Sequence, residues 1–372
     1  MSQTKVEAPF LENNRPLRNI MINGDMAVSQ RGDSTGVSSS GYYACDRWNQ
    51  NFSDAGTFSV TQSTDVPAGQ GFSKSLKLDC TTADTSVASA SVHRVFQRIE
   101  AQMMAAVESG SANAKQTVWS FWIKFDNASG DFCVNVLNLS DSNNRVIAKK
   151  FTYASGAGWQ KYSFVIPGDT GGNALTPDNS GAYYMQIFMQ AGTNFTSGTL
   201  QTTWDTRADA NRAAGQTLQL ASSTDNNMYL TGCQWEIGDA PSDFEHTPFD
   251  VQLQRCQRYY YLHTSGAESN TSHVGVFNAY SSSNLQTSIF HPVQMRAAAT
   301  ADFVQSTNYY TAYGNGGSDS FDGFDLGSEG NKNGSAIYTS SKNVSVTQAS
   351  PYFVRISGAT GATARVAFSA EL

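Results

Sequence analysis

Hydrophobic and polar positions alternate along most of this chain with a period of two. The clearest run is Val118 to Phe125: Trp119, Phe121, Ile123 and Phe125 fall on one side, Ser120, Trp122 and Lys124 on the other. Strand side chains point alternately to the two faces of a sheet, so the pattern predicts a strand with one buried face. Phe132 to Leu137 reads the same way through Phe132, Val134 and Val136, and Tyr162 to Ile166 through Tyr162, Phe164 and Ile166. In Ala182 to Gln190, Tyr183, Met185, Ile187 and Met189 share one face, and Tyr184, Gln186, Phe188 and Gln190 the other. Met228 to Glu236 reads as a late strand. Gly, Ser, Asn and Asp turns separate these runs at the spacing of a sandwich or barrel. Ala101 to Ser109 is the one helix predicted in this region, closed by Gly110 as a C-terminal cap.

The period changes after residue 249. Val251 or Leu253, Cys256 and Tyr260 fall at helical spacing, and Asp250 is a fair N-cap, which predicts a short helix over Val251–Tyr259. Alternation then resumes in Val274 to Ala279, Gln286 to Phe290, Ala336 to Thr339, Val344 to Val346, Tyr352 to Ile356 and Arg365 to Phe368. These runs predict a second, smaller β-domain. Between them Gly314 to Gly334, rich in Gly, Ser, Asn and Asp, predicts a long exposed loop. No fixed-period repeat occurs, which argues against a solenoid.

Composition narrows the class. Of 372 residues only 15% are charged, while aromatics reach 12%, the balance of an extended all-β protein. The formal net charge is −7 and no basic run appears, so nucleic-acid binding is not expected. Cys45, Cys80, Cys133, Cys233 and Cys256 are odd in number and scattered, which predicts buried thiols in place of disulfides or zinc ligands. Residues 1–18, with Pro9 and Pro16, read as an extended arm that docks on a neighbouring protein. The sequence contains no secretory h-region and no run of 18 apolar residues, so membrane insertion is not expected and a cytoplasmic site of synthesis is.

Several motifs, in order, are similar to bacteriophage tail and fibre proteins with a carbohydrate-binding-type jelly roll. They begin with Asn19 to Met26, Val28, Gln30-Arg31-Gly32, Tyr43 and Asp46-Arg47-Trp48. Gln97 to Glu100, Ser120 to Lys124, Ile166 to Thr170 and Tyr229 to Gly238 follow. The stretch Phe244 to Tyr261 resembles the junction that ends the jelly roll, and His291 to Arg296 and Ala367 to Leu372 resemble later family segments. The resemblance implies an attachment arm over 1–18, a jelly-roll β-sandwich over 19–249, a helical connector over 250–261 and a C-terminal β-domain over 262–372. Cys256, Tyr259 and Tyr260 then read as a packed hinge. It further implies a non-enzymatic virion protein, a homotrimer held to other virion proteins through the arm.

A jelly roll often binds glycan on a concave sheet face, through aromatic rings for the C–H faces of sugars and amides for the hydroxyls. Trp122, Tyr184 and Phe188 lie on polar strand faces near Gln186, Gln190, Lys124 and Asn135, and would form such a platform if their strands share a sheet. The site expected for a host surface glycan is therefore Trp122, Tyr184, Gln186, Phe188 and Asn135. The bland reading covers the same rings with a loop or a partner subunit. Arg31-Gly32-Asp33 reads as a turn, and Asp46-Arg47-Trp48 as a core lock. No cofactor is expected; Asp319, Asp322 and Asp325 are the candidate calcium ligands against a solvated loop. His93, His246, His263, His273 and His291 have no metal spacing, and no catalytic motif appears. An architectural tail, collar or head-decoration protein, and a glycan-degrading tailspike with paired carboxylates, are the alternatives.

Overall fold

The computed structural model describes residues 17–140 and 144–372. All but the last two residues of the expected arm lie outside this range. The chain divides into two compact units, one reaching Gln252 and including Leu372, the other Leu253–Glu371. Among the described residues no helix is long and apolar enough to cross a membrane.

The first unit is built from β1 (Ser34–Val37), β2 (Gly41–Tyr42), β3 (Asn49–Ser53), β4 (Thr57–Ser63), β5 (Ser75–Thr82), β6 (Val92–Glu100) and β7 (Thr117–Asp126). It continues through β8 (Gly130–Asn138), β9 (Arg145–Tyr153), β10 (Gln160–Ile166), β11 (Gly181–Ala191), β12 (Asp205–Thr206) and β13 (Asn227–Ile237). One sheet runs β1-β4-β5-β13-β7-β10, the other β12-β9-β8-β11-β6-β3-β2. The chain crosses between the sheets after β1, β3, β5, β6, β7, β9, β10 and β12, the two-sheet weave of a jelly roll.

The buried layer is the one that the alternation marks. Trp119, Phe121, Ile123 and Phe125 of β7 meet Phe132, Val134 and Val136 of β8 and Met185 and Ile187 of β11 in one core. Phe125 and Phe132, from opposite sheets, have ring centroids 5.7 Å apart. Polar side chains stitch the residues before β1 into this sandwich. Gln97 brackets Ile22, accepting from its N–H at 2.8 Å and donating to its carbonyl at 2.7 Å. Asn19 donates to the Cys233 carbonyl and accepts from the Trp235 N–H. The Trp48 indole donates to the Asn23 carbonyl, and buried Arg47 donates to the Arg98 carbonyl. Asp46-Arg47-Trp48 is thus a core lock. The helix expected at Ala101 to Ser109 is a 3-10 helix, Ala101–Val107, whose left-handed cap is Glu108 and not Gly110. Gly110 instead permits a close approach of two chain segments, since an added Cβ would stand 1.9 Å from the Asn173 carbonyl oxygen.

Helix Phe249–Gln257 begins two residues earlier than expected, so Asp250 sits in its first turn and is not its cap. The second unit then contains β14 (Tyr260–Ser265), β15 (His273–Ser281), β16 (Asn284–Phe290), β17 (Thr300–Val304) and β18 (Tyr310–Gly314). It ends with β19 (Gly317–Phe321), β20 (Asp325–Leu326), β21 (Gly334–Tyr338), β22 (Pro351–Ile356) and β23 (Arg365–Ser369). A three-stranded sheet, β14-β23-β17, and a seven-stranded one, β19-β18-β22-β15-β16-β21-β20, contribute to one core that includes Val366, Phe368, Phe277 and Val354. Cys256, Tyr259 and Tyr260 are buried.

Two expectations fail here. Val344 to Val346 is not a strand; its backbone is held singly, Ser345 N–H by Asp319 and Val346 N–H by the Ser282 carbonyl. Gly314 to Gly334 is not a long loop. It folds as the β18–β19 hairpin about Asn315-Gly316, with φ of 49° and 76°, followed by β20. Positive φ at both central residues is the geometry an Asn-Gly hairpin turn supplies.

Candidate functional site

The expected platform does not assemble. Trp122 lies on the outer face of the β7 sheet, while Tyr184, Gln186, Phe188 and Asn135 belong to the other sheet. Outer faces of a sandwich point apart, so no ligand bridges the two groups. Trp122 instead packs over the β13 bulge beside Gly232 and Phe72. Lys124, on the same face, pairs with Asp65 at 2.6 Å and lies over the Tyr229 ring.

On the second sheet most of the expected residues are covered. The segment from Thr193 to Leu218 crosses the outer face, and Phe195, Leu200 and Ala213 close over Phe188 and Cys133. Phe188 and Asn135 are fully buried and Gln186 nearly so. Asn135 exchanges hydrogen bonds with Arg212, which also donates to Gln186. Gln190 is buried against Asp84 and Ser91. Of this group Tyr184 alone stays half-open, stacked on Phe96 at 5.4 Å with the Arg98 guanidinium 4.6 Å from its ring centre.

A more open surface lies in the second unit, on the outer face of its seven-stranded sheet. Phe277, Ala279, Leu285, Ile289 and Ile337 point into the core, so the intervening side chains point out. Register places Asn278, Gln286 and Tyr338 side by side across β15, β16 and β21. Tyr280, two positions beyond Asn278, is 67% exposed. These residues, with Asn284 and Glu329, line a groove of about 630 Å³. A second hollow of about 170 Å³ adjoins it, sharing Ser288, Glu329 and Ala336 and ending at Phe290. Together they form a trough along β16, seven residues or roughly 20 Å at the rise of a strand. Its floor is amide and hydroxyl, and aromatic rings mark its two ends. The parity that sorts the faces of β7 and β11 also finds this one. Val274 to Ala279 and Gln286 to Phe290 alternate as strands, and one more residue along the first puts Tyr280 outward beside Asn278.

The remaining sequence candidates have internal roles. Asp319 accepts from Ser345 N–H, Asp322 from Asn308 N–H, and Asp325 pairs with Lys342 at 2.9 Å, so the three carboxylates do not converge. Among the described residues no group of three potential metal ligands occurs. Gly32 has φ of 71°, and Asp33 accepts from the Gln62 N–H, so Arg31-Gly32-Asp33 is a turn pinned to β4. All five cysteines are free and buried; burial pushes the Cys133 thiol up to about 12.

Fold and surface define an all-β protein of two sandwich-like units, the first a jelly roll, with a polar trough ended by aromatics in the second. No protein-family model matches the chain, and no curated protein matches it. Among solved structures it is similar to the enzymatically active domain of tailspike protein 4 of bacteriophage CBA120, at 13% identity and a TM-score of 0.28, over 59% of this chain and 22% of that one. A family 61 carbohydrate-binding module in complex with β-1,4-galactotriose matches at 9% identity and a TM-score of 0.29, covering 59% of this chain and 99% of the module. A family 16 carbohydrate-binding module matches at 12% identity and a TM-score of 0.24, covering 50% and 89%.

Proposed function

We propose that this is a non-enzymatic phage virion protein, a tail fibre or tail-associated adhesin, which holds host-surface glycan in the trough between Tyr280 and Phe290. The observation that bears the reading is the Tyr280 ring, 67% exposed beside the Asn278–Gln286–Tyr338 row. A sugar presents a flat C–H face to such a ring and hydroxyls that both donate and accept, which amide side chains match. Glu329 is the carboxylate on the lining, whereas most glycoside hydrolysis uses two carboxylates flanking the bond, which favours binding over cleavage. The ordered motifs shared with phage tail proteins support a virion location, synthesis in the host cytoplasm, a homotrimer and attachment through the N-terminal arm.

The test is adsorption of the labelled protein to host cells, competed by the oligosaccharides it selects on a glycan array. Tyr280→Ala and Gln286→Ala are expected to lower adsorption and array signal at least tenfold while leaving stability within about 0.5 kcal/mol of the parent, as for most surface changes. Unchanged adsorption in both variants would sink the reading. One observation favours a purely architectural role. Val276 and Phe290 are 62% and 80% exposed on the same face, and apolar surface of that kind is often covered by a neighbour.

A further inference from the structure

The outer face of β6 and β11 in the first unit concentrates positive charge in a protein of net charge −7. Arg94 and Arg98 leave β6 on one side, opposite Phe188 and Tyr184 of β11. Arg212 stands over Phe188 at 5.4 Å, facing Arg94 at 5.6 Å over the same ring. Exposed Arg207 joins them through Asp209, which accepts from Arg207 at 2.7 Å and Arg212 at 3.0 Å. Asp209 thus serves two of the four guanidinium groups, and among the described residues no ion pair reaches Arg94 or Arg98. Arg94 is satisfied only by neutral amides, Asn51 and Gln186, and the Arg98 Nε has no hydrogen-bond partner.

We infer that this guanidinium cluster is a second ligand site, separate from the trough, and takes the carboxylate of an acidic saccharide. Guanidinium is the side chain whose planar fork matches a carboxylate in two parallel hydrogen bonds. Arg98 and Arg207 carry that group on this face, and Asn49 of neighbouring β3, opposite Phe96, adds an amide for an adjacent hydroxyl. Burial, and then the charges of Arg212 and Arg207, bring Arg94 down to about 9, and a bound anion would offset those neighbouring charges. The Asn49 amide can both donate to and accept from a hydroxyl, which favours a saccharide as the carrier of the carboxylate.

Calorimetric titration separates these cases. A glucuronate-containing oligosaccharide should bind at least tenfold more tightly than its neutral glucose counterpart, with affinity falling as salt rises. Arg98→Gln and Arg94→Gln should each weaken it at least tenfold, while Tyr280→Ala leaves it unaltered. Exposed Arg207→Gln gives the same reading should either buried-edge variant fail to fold. Equal affinity for acidic and neutral sugars, arginine variants that bind like the parent, or poly-glutamate or acetate binding as tightly as the uronate would each overturn the assignment. Because the trough is tested through Tyr280 and the guanidinium cluster through Arg98, either can fail without the other.

Discussion

His93 shows how far a titratable side chain can be drawn into this fold. Its imidazole is fully buried, stacked on Phe52 at 3.9 Å with Nε2 3.1 Å from Gln50 Oε1. Burial pushes its pKa down to about 3. An unfolded histidine titrates near 6.5, so between those values the unfolded chain binds one proton more than the native one. Stability therefore falls as pH drops through this window, by up to about 1.4 kcal/mol per unit. Urea unfolding at pH 6.5 and 4.5 should show a steeper loss for the parent than for His93→Gln; parallel losses would contradict the burial. Nothing in the sequence around Val92-His93-Arg94 marks this histidine as buried, because the neighbours that enclose it, Phe52 and Phe58, come from other strands. The same holds for Asn19, Asn23 and Gln97. Their motifs are legible as a resemblance, but their work is internal, bonding backbone groups of distant segments.

At the scale of elements, turn chemistry is the signal that composition hides. Asn315-Gly316 between alternating residues marks a hairpin, yet the surrounding Gly, Ser and Asp content reads as loop. Gly316 has φ of 76° with nothing within 4 Å of an added Cβ, so Gly316→Ala should cost only the backbone term, about 1 kcal/mol. Gly110→Ala should cost clearly more, since its Cβ would also strike the Asn173 carbonyl. Thermal unfolding of the two variants checks that order, and an equal or reversed order would contradict it. Strand faces, by contrast, are legible: Trp119, Phe121, Ile123 and Phe125 are buried as their parity demands. What parity leaves open is which outward face stays open. Phe188 and Asn135 point away from the core as their parity requires, but a segment that begins five residues after Phe188 folds back across them.

For the whole molecule, the sequence indicates two β-rich parts but not which presents the more open surface. Mapped onto the fold, the resemblance motifs in the first unit account for its stitching, while the trough residues Asn278, Tyr280 and Gln286 lie outside any of them. Sedimentation equilibrium is expected to return three times the chain mass of 40.1 kDa; a single-chain mass would contradict the trimer. Phe290→Ser separates the two functional readings, leaving the assembly intact in an adhesin and dissociating it where that face is buried between subunits. The most direct test of the central claim is titration of an array-selected oligosaccharide into the parent and Tyr280→Ala. Saturable binding by the parent that falls at least tenfold in the variant is the predicted result. Binding of equal strength in both, with the fold intact, would contradict glycan recognition in the trough.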